Sequence, residues 1–142
     1  MVGINSLTEL LRGRMARRGS PVLTDAELRL MEVLWRRPRA TVSDVVEGAG
    51  APPLSYSTVL TTLRILERKG YAAHEEVNRT YVYRPVVARD EAANKDVGHV
   101  LTRFFSGKPL DLAMRLVQRD SASREDLRRL KALIEQHEAN AE

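Results

Sequence analysis

Between Ser55 and Gly70 the sequence SYSTVLTTLRILERKG places apolar and polar residues at helical period. At about 100° per residue, Val59, Leu63 and Leu66 fall together, with Tyr56 and Thr62 at the edges. Ser57, Thr61, Arg64 and Arg68 fall on the opposite side. Ser55 is positioned to cap the helix with its hydroxyl, and Gly70 to end it in the left-handed conformation. The period then changes. Tyr71–Val77 and Thr80–Arg84 have strand composition, Tyr81 and Tyr83 alternate with Val82 and Arg84, and Pro85 ends the run. Asn78-Arg79 sits between them as a tight turn, because Asn tolerates the positive φ that a short hairpin needs.

Upstream, Thr24-Asp25-Ala26-Glu27 reads as a capping box opening a helix through about Arg37. Leu28, Leu30, Met31, Leu34 and Trp35 form its broad apolar face, and Pro38 stops it. Thr41-Val42-Ser43-Asp44 starts a short second helix to about Gly48, with Val42, Val45 and Val46 on its apolar side. Gly48, Gly50, Pro52 and Pro53 then break the chain before Ser55. The order is helix, short helix, loop, helix and hairpin, which is a tri-helical core with one wing.

From Ala88 onward the pattern is helical. Val97, Val100, Leu101 and Phe104 make one stripe. Leu110, Ala113, Met114 and Val117 follow Pro109 at i, i+3, i+4 and i+7. Ser123 caps a last helix bearing Leu127, Leu130, Leu133 and Ile134. These helices carry more apolar surface than they can bury among themselves, and a second copy of the chain is the economical cover. The predicted fold is mainly α with a small β-hairpin wing: a winged helix-turn-helix domain at 23–87 and a helical dimerisation domain at 88–142. An extension at 1–22, disordered or a short helix, precedes them.

The outward face of the Ser55 helix differs from an ordinary solvated face, which favours Glu, Lys and Gln. Its first two turns carry hydroxyls and β-branched Thr, poor helix formers with no charge to hydrate. Short side chains at the leading end let a helix approach base edges in a major groove, and an Arg further on suits guanine or phosphate. Charge distribution agrees. Residues 1–89 hold 14 Lys/Arg against 9 Asp/Glu, a balance of +5, whereas residues 90–142 hold 9 against 10, a balance of −1. A basic half joined to a neutral half suits a polyanion reader tied to an association domain. A winged helix serving instead as a protein-interaction module is the rival reading. It predicts exposed apolar or aromatic residues on that face, and Leu60 is the one flanking residue that fits it.

Other chemistries find little support. The chain has no cysteine, which excludes disulfides and thiolate metal sites. His74, His99 and His137 each lack a partner at i+3 or i+4 that would make a metal pair, and Glu75-Glu76 reads as a solvated strand end. Phosphate loops and nucleophile elbows are missing. No catalytic residue, metal site or cofactor is expected, and no enzyme. Residues 4–18 set Ile4, Leu7, Leu10, Leu11 and Met15 against several Arg, which reads as a frayed extension, an arm on DNA phosphates or an interfacial helix. A secretory signal would place its charge before a continuous apolar core, and no apolar run approaches the roughly 20 residues of a membrane span. The expected location is the cytoplasm, with no membrane partner.

The runs DAELRLMEVLW, LSYSTVLTTLRILERKGY and NRTYVYRPV resemble the BlaI/MecI/CopY family of bacterial transcriptional repressors, also called the penicillinase repressor family. The resemblance covers about Leu23 to Ile134. It implies a homodimer whose C-terminal helices intertwine, with two winged domains on an inverted-repeat operator in double-stranded DNA. On that basis Ser57, Thr58, Thr61 and Arg64 face bases and nearby phosphates, Arg79 is the wing's phosphate contact, and Ser55, Tyr56 and Arg68 meet the DNA backbone. Dimerisation falls to Val100, Leu101, Phe104, Leu110, Met114, Val117, Leu127, Leu130 and Ile134. Penicillinase-type members are inactivated by a sensor protease at an Asn-Phe bond. The corresponding position here falls near His99-Val100, which departs from Asn-Phe. Copper-type members carry C-terminal cysteine motifs, which this chain lacks.

Overall fold

The computed structural model describes residues 22–119 and 122–141, so the amphipathic patch at 4–18 lies outside the described residues. The chain divides into two compact units between His99 and Val100. In the first unit the order is α1 (Asp25–Arg36), β1 (Ala40–Thr41), α2 (Val42–Gly48), α3 (Tyr56–Lys69), β2 (Ala72–Val77) and β3 (Thr80–Pro85). Then come α4 (Arg89–Phe105), α5 (Pro109–Gln118) and α6 (Arg124–Asn140). Among the described residues the protein is therefore six helices and a small antiparallel sheet, and none of the helices is long and apolar enough to cross a membrane.

Local signals set the helix starts. Thr24 and Glu27 form a reciprocal capping box on α1, and Thr41 and Asp44 form another on α2. In the second box the Thr41 N–H donates to the Asp44 carboxylate at 2.9 Å. That bond, with help from the Thr41 hydroxyl and Arg37, holds Asp44 below the usual carboxylate range against a raising effect of burial. Ser55 caps α3, its Oγ accepting from the Thr58 N–H at 3.2 Å. Gly70 ends α3 at φ 87°, a conformation that costs a side chain little only when there is none.

The core of the first unit is the convergence of three apolar faces. Leu30, Met31 and Leu34 of α1, Val45 of α2, and Val59, Leu63 and Leu66 of α3 are all fully buried. Each such side chain contributes about 1.5–3 kcal/mol of transfer free energy. Tyr71 and Tyr83 close the core from the wing side, and burial pushes both phenols up in pKa. Trp35 is half-buried against this cluster, with its indole N–H donating to the Val87 carbonyl at 2.9 Å. Leu28, read as part of the apolar face, is instead exposed. It sits at the edge of the α1 stripe, outside the core cluster.

The sheet order is β1-β3-β2. The hairpin pairs Val77 with Thr80 across a two-residue loop in which Asn78 and Arg79 have φ of 51° and 65°. Two successive positive φ values are the signature of the type I′ turn, whose twist matches that of the flanking strands. The third strand extends the expected two-stranded wing. β1 pairs Ala40 with Tyr83 and Thr41 with Val82, so the wing is anchored to the start of α2.

In the second unit Pro109 occupies the first turn of α5, and Ser123 forms a capping box with Asp126 on α6. Neither helix has a buried residue, although both are apolar along one side.

Candidate nucleic-acid interface

Two contacts that hold the third helix in place were not anticipated from the sequence. The first is a buried ion pair, Lys69 Nζ to Glu27 Oε1 at 2.7 Å, with both side chains less than a tenth exposed. Glu27 thus serves twice: its carboxylate also accepts from the Thr24 N–H at 3.0 Å. The pair ties the last turn of α3 to the first turn of α1. The second is Arg29, which donates to the carbonyls of Ala49 at 2.6 Å and Gly50 at 2.9 Å, and to that of Pro52. One guanidinium thereby fixes the loop between α2 and α3.

Held in this way, α3 exposes the face opposite its apolar stripe. Ser55, Tyr56, Ser57, Thr58, Thr61, Arg64 and Arg68 are all exposed, and so is Arg79 at the wing tip. The hydroxyls at the leading end are organised: Ser55 Oγ donates to Thr58 Oγ1 at 2.9 Å and lies 3.3 Å from Ser57 Oγ. Thr62 turns inward and donates to the Thr58 carbonyl at 2.8 Å. Among the described residues, Arg64, Arg68 and Arg79 form no ion pair, whereas Arg37, Arg39 and Arg89 do. Leu60 is half-buried and packs on the core.

On its wing-facing flank, α3 borders two shallow grooves. One runs between Tyr56, Leu60, Arg79 and Tyr81, and the other between Arg64, Arg68, His74 and Tyr81. Tyr81 therefore sits midway, with 42% of its surface exposed. Sequence reasoning placed Tyr81 on a strand face but assigned it no part in the site. Its alternation with Val82 was visible, whereas the position of α3 opposite it was not. His74 is exposed, and it bridges to Glu67 of α3 with Nδ1 and Oε1 2.5 Å apart.

A tri-helical core, a sheet anchored at the start of its second helix, and a basic, hydroxyl-lined third helix beside a hairpin define a winged helix-turn-helix regulator of the DNA-binding class. The chain belongs to the penicillinase repressor family, which it matches over residues 23–136, and that family consists of transcriptional repressors rather than enzymes. It is 27% identical over 118 residues to the penicillinase repressor of Bacillus licheniformis, covering 82% of this chain and 92% of that protein. It is 19% identical over 113 residues to the methicillin resistance regulatory protein MecI of Staphylococcus aureus, covering 79% and 92%. Among solved structures, the adhesin competence repressor AdcR of Streptococcus pyogenes aligns at a TM-score of 0.42 and 17% identity, over 97% of this chain and 96% of that one.

In the second unit, Val100, Phe104, Leu110, Met114, Val117, Leu127 and Ile134 are exposed, while Leu101 and Leu130 are half-buried. Phe104 and Leu110 each expose 67% of their surface. Val97, Leu116 and Leu133 are exposed as well.

Proposed function

We propose that this repressor is a homodimer that reads an inverted-repeat operator, with α3 in the major groove and the wing tip on the adjoining backbone. The observation that carries this reading is the exposed face of α3, where short hydroxyl side chains lead and Arg64 and Arg68 follow without acidic partners. Ser57, Thr58, Thr61 and Arg64 meet base edges and nearby phosphates. Ser55, Tyr56 and Arg68 contact the backbone, and Arg79 takes a phosphate from the wing. The hydroxyl of Tyr81 adds a further phosphate donor between helix and wing. Residues 23–87 form the reader and 88–142 the dimerisation domain, with 1–22 an extension. The exposed apolar residues of α4, α5 and α6 support the second copy, because apolar patches of this kind are covered in soluble regulators by partners. Such a protein works where the DNA is, in the bacterial cytoplasm.

Leu60, the residue that favoured an interaction module, is half-buried: it packs on the core and lines the groove beside Tyr56 and Tyr81. Arg64→Ala is expected to weaken binding to a selected duplex by roughly 1–3 kcal/mol and to relax preference at one base position. Anisotropy titrations against single-position variants of the duplex measure both. Unchanged affinity on every duplex would remove α3 from the interface.

A further inference from the structure

The link between the wing and α3 has a chemistry of its own. His74 lies on β2 opposite Tyr83 in register, and its Nδ1 is 2.5 Å from Glu67 Oε1 on α3. Its ring packs against those of Tyr81 and Tyr83, with centroids 4.6 and 5.2 Å away. The charged groups around it are few. Arg64 and Arg68 line the same groove from α3. On its own strand, Glu75 is engaged by Arg39 at 2.7 Å and Glu76 borders the other groove.

We propose that His74 is a positioning residue for operator binding: bonded to Glu67, it fixes the wing against α3 and keeps Glu67 from pairing with Arg64. The inference rests on the reading of α3 and the wing as the DNA-contacting elements. Glu67 stands one turn from Arg64, the spacing at which a carboxylate and a guanidinium pair on a helix. Occupied by His74, it leaves Arg64 available to DNA. The ring also seats Tyr81, so wing position and the Tyr81 hydroxyl move together.

The test uses the full chain and a duplex selected by the wild type, at fixed pH and salt. His74→Phe keeps a ring against the tyrosines but has no nitrogen, and is expected to bind about tenfold more weakly, the order of a lost hydrogen bond to a charged group. Glu67→Gln, which cannot form an ion pair with Arg64, is expected to bind as wild type does and to restore most of the loss when combined with His74→Phe. His74→Phe at wild-type affinity, or a loss that Glu67→Gln does not restore, would overturn the inference and leave His74 a packing residue. Should wild type select no duplex, the DNA reading itself fails, and the amide NMR signals of residues 80–85 decide the latch. Signals that shift in Glu67→Ala support it, and signals that do not move overturn it.

Discussion

Ile134→Asp is expected to convert the protein to a monomer and to cut operator affinity by roughly 10²–10⁴-fold, the gain that linking two weak half-site contacts confers. The residue suits the test because half of its surface is exposed in the single chain, so the substitution disturbs the protomer's own packing less than one at a half-buried position. In a dimer it would bring a carboxylate into an apolar interface, where desolvation is costly without a partner. Leu130, by contrast, is half-buried within the protomer, and a charge there would confuse dissociation with unfolding. Sedimentation velocity reads the assembly, and titration of a two-half-site duplex reads the affinity. A variant that still sediments as a dimer would place the interface elsewhere on the second unit.

Glu27→Ala is expected to destabilise the reader domain by roughly 3–5 kcal/mol. Three effects add. Lys69 is left as a buried cation without its carboxylate, α1 loses the reciprocal half of its capping box, and α3 loses its tie to α1. Urea denaturation measures the loss. Glu27→Leu combined with Lys69→Met should recover much of it, because a buried pair replaced by apolar side chains of similar size is often neutral. A single-variant cost below about 1 kcal/mol would mean that Lys69 reaches water once its partner is gone.

What the sequence made legible follows from the range of each signal. The capping boxes at Thr24, Thr41 and Ser123, the Asn78 turn and the Gly70 stop are decided within four residues, and the structure has each of them. The faces of α1 and α3 were legible because helical period is a property of one stretch. β1 was not, because two residues cannot display an alternation, and the strand exists only through its pairing with β3. The ion pair of Glu27 with Lys69 joins residues 42 apart in sequence, and the Arg29 clamp spans 20 or more. Both depend on how the helices pack. In the candidate interface the outward face of α3 was legible as a pattern, whereas Tyr81 and the His74–Glu67 bridge needed the wing folded beside the helix.

If α3 reads sequence as one half of a symmetric pair, the operator is an inverted repeat. Selection of binding sites from random duplex DNA by the full chain, at stated salt because phosphate contacts dominate affinity, tests it most directly. The expected result is an enriched inverted repeat whose half-sites lie on one face of the duplex, about one helical turn or a multiple of it apart. A pool that remains random, with only weak and salt-sensitive binding, would contradict it.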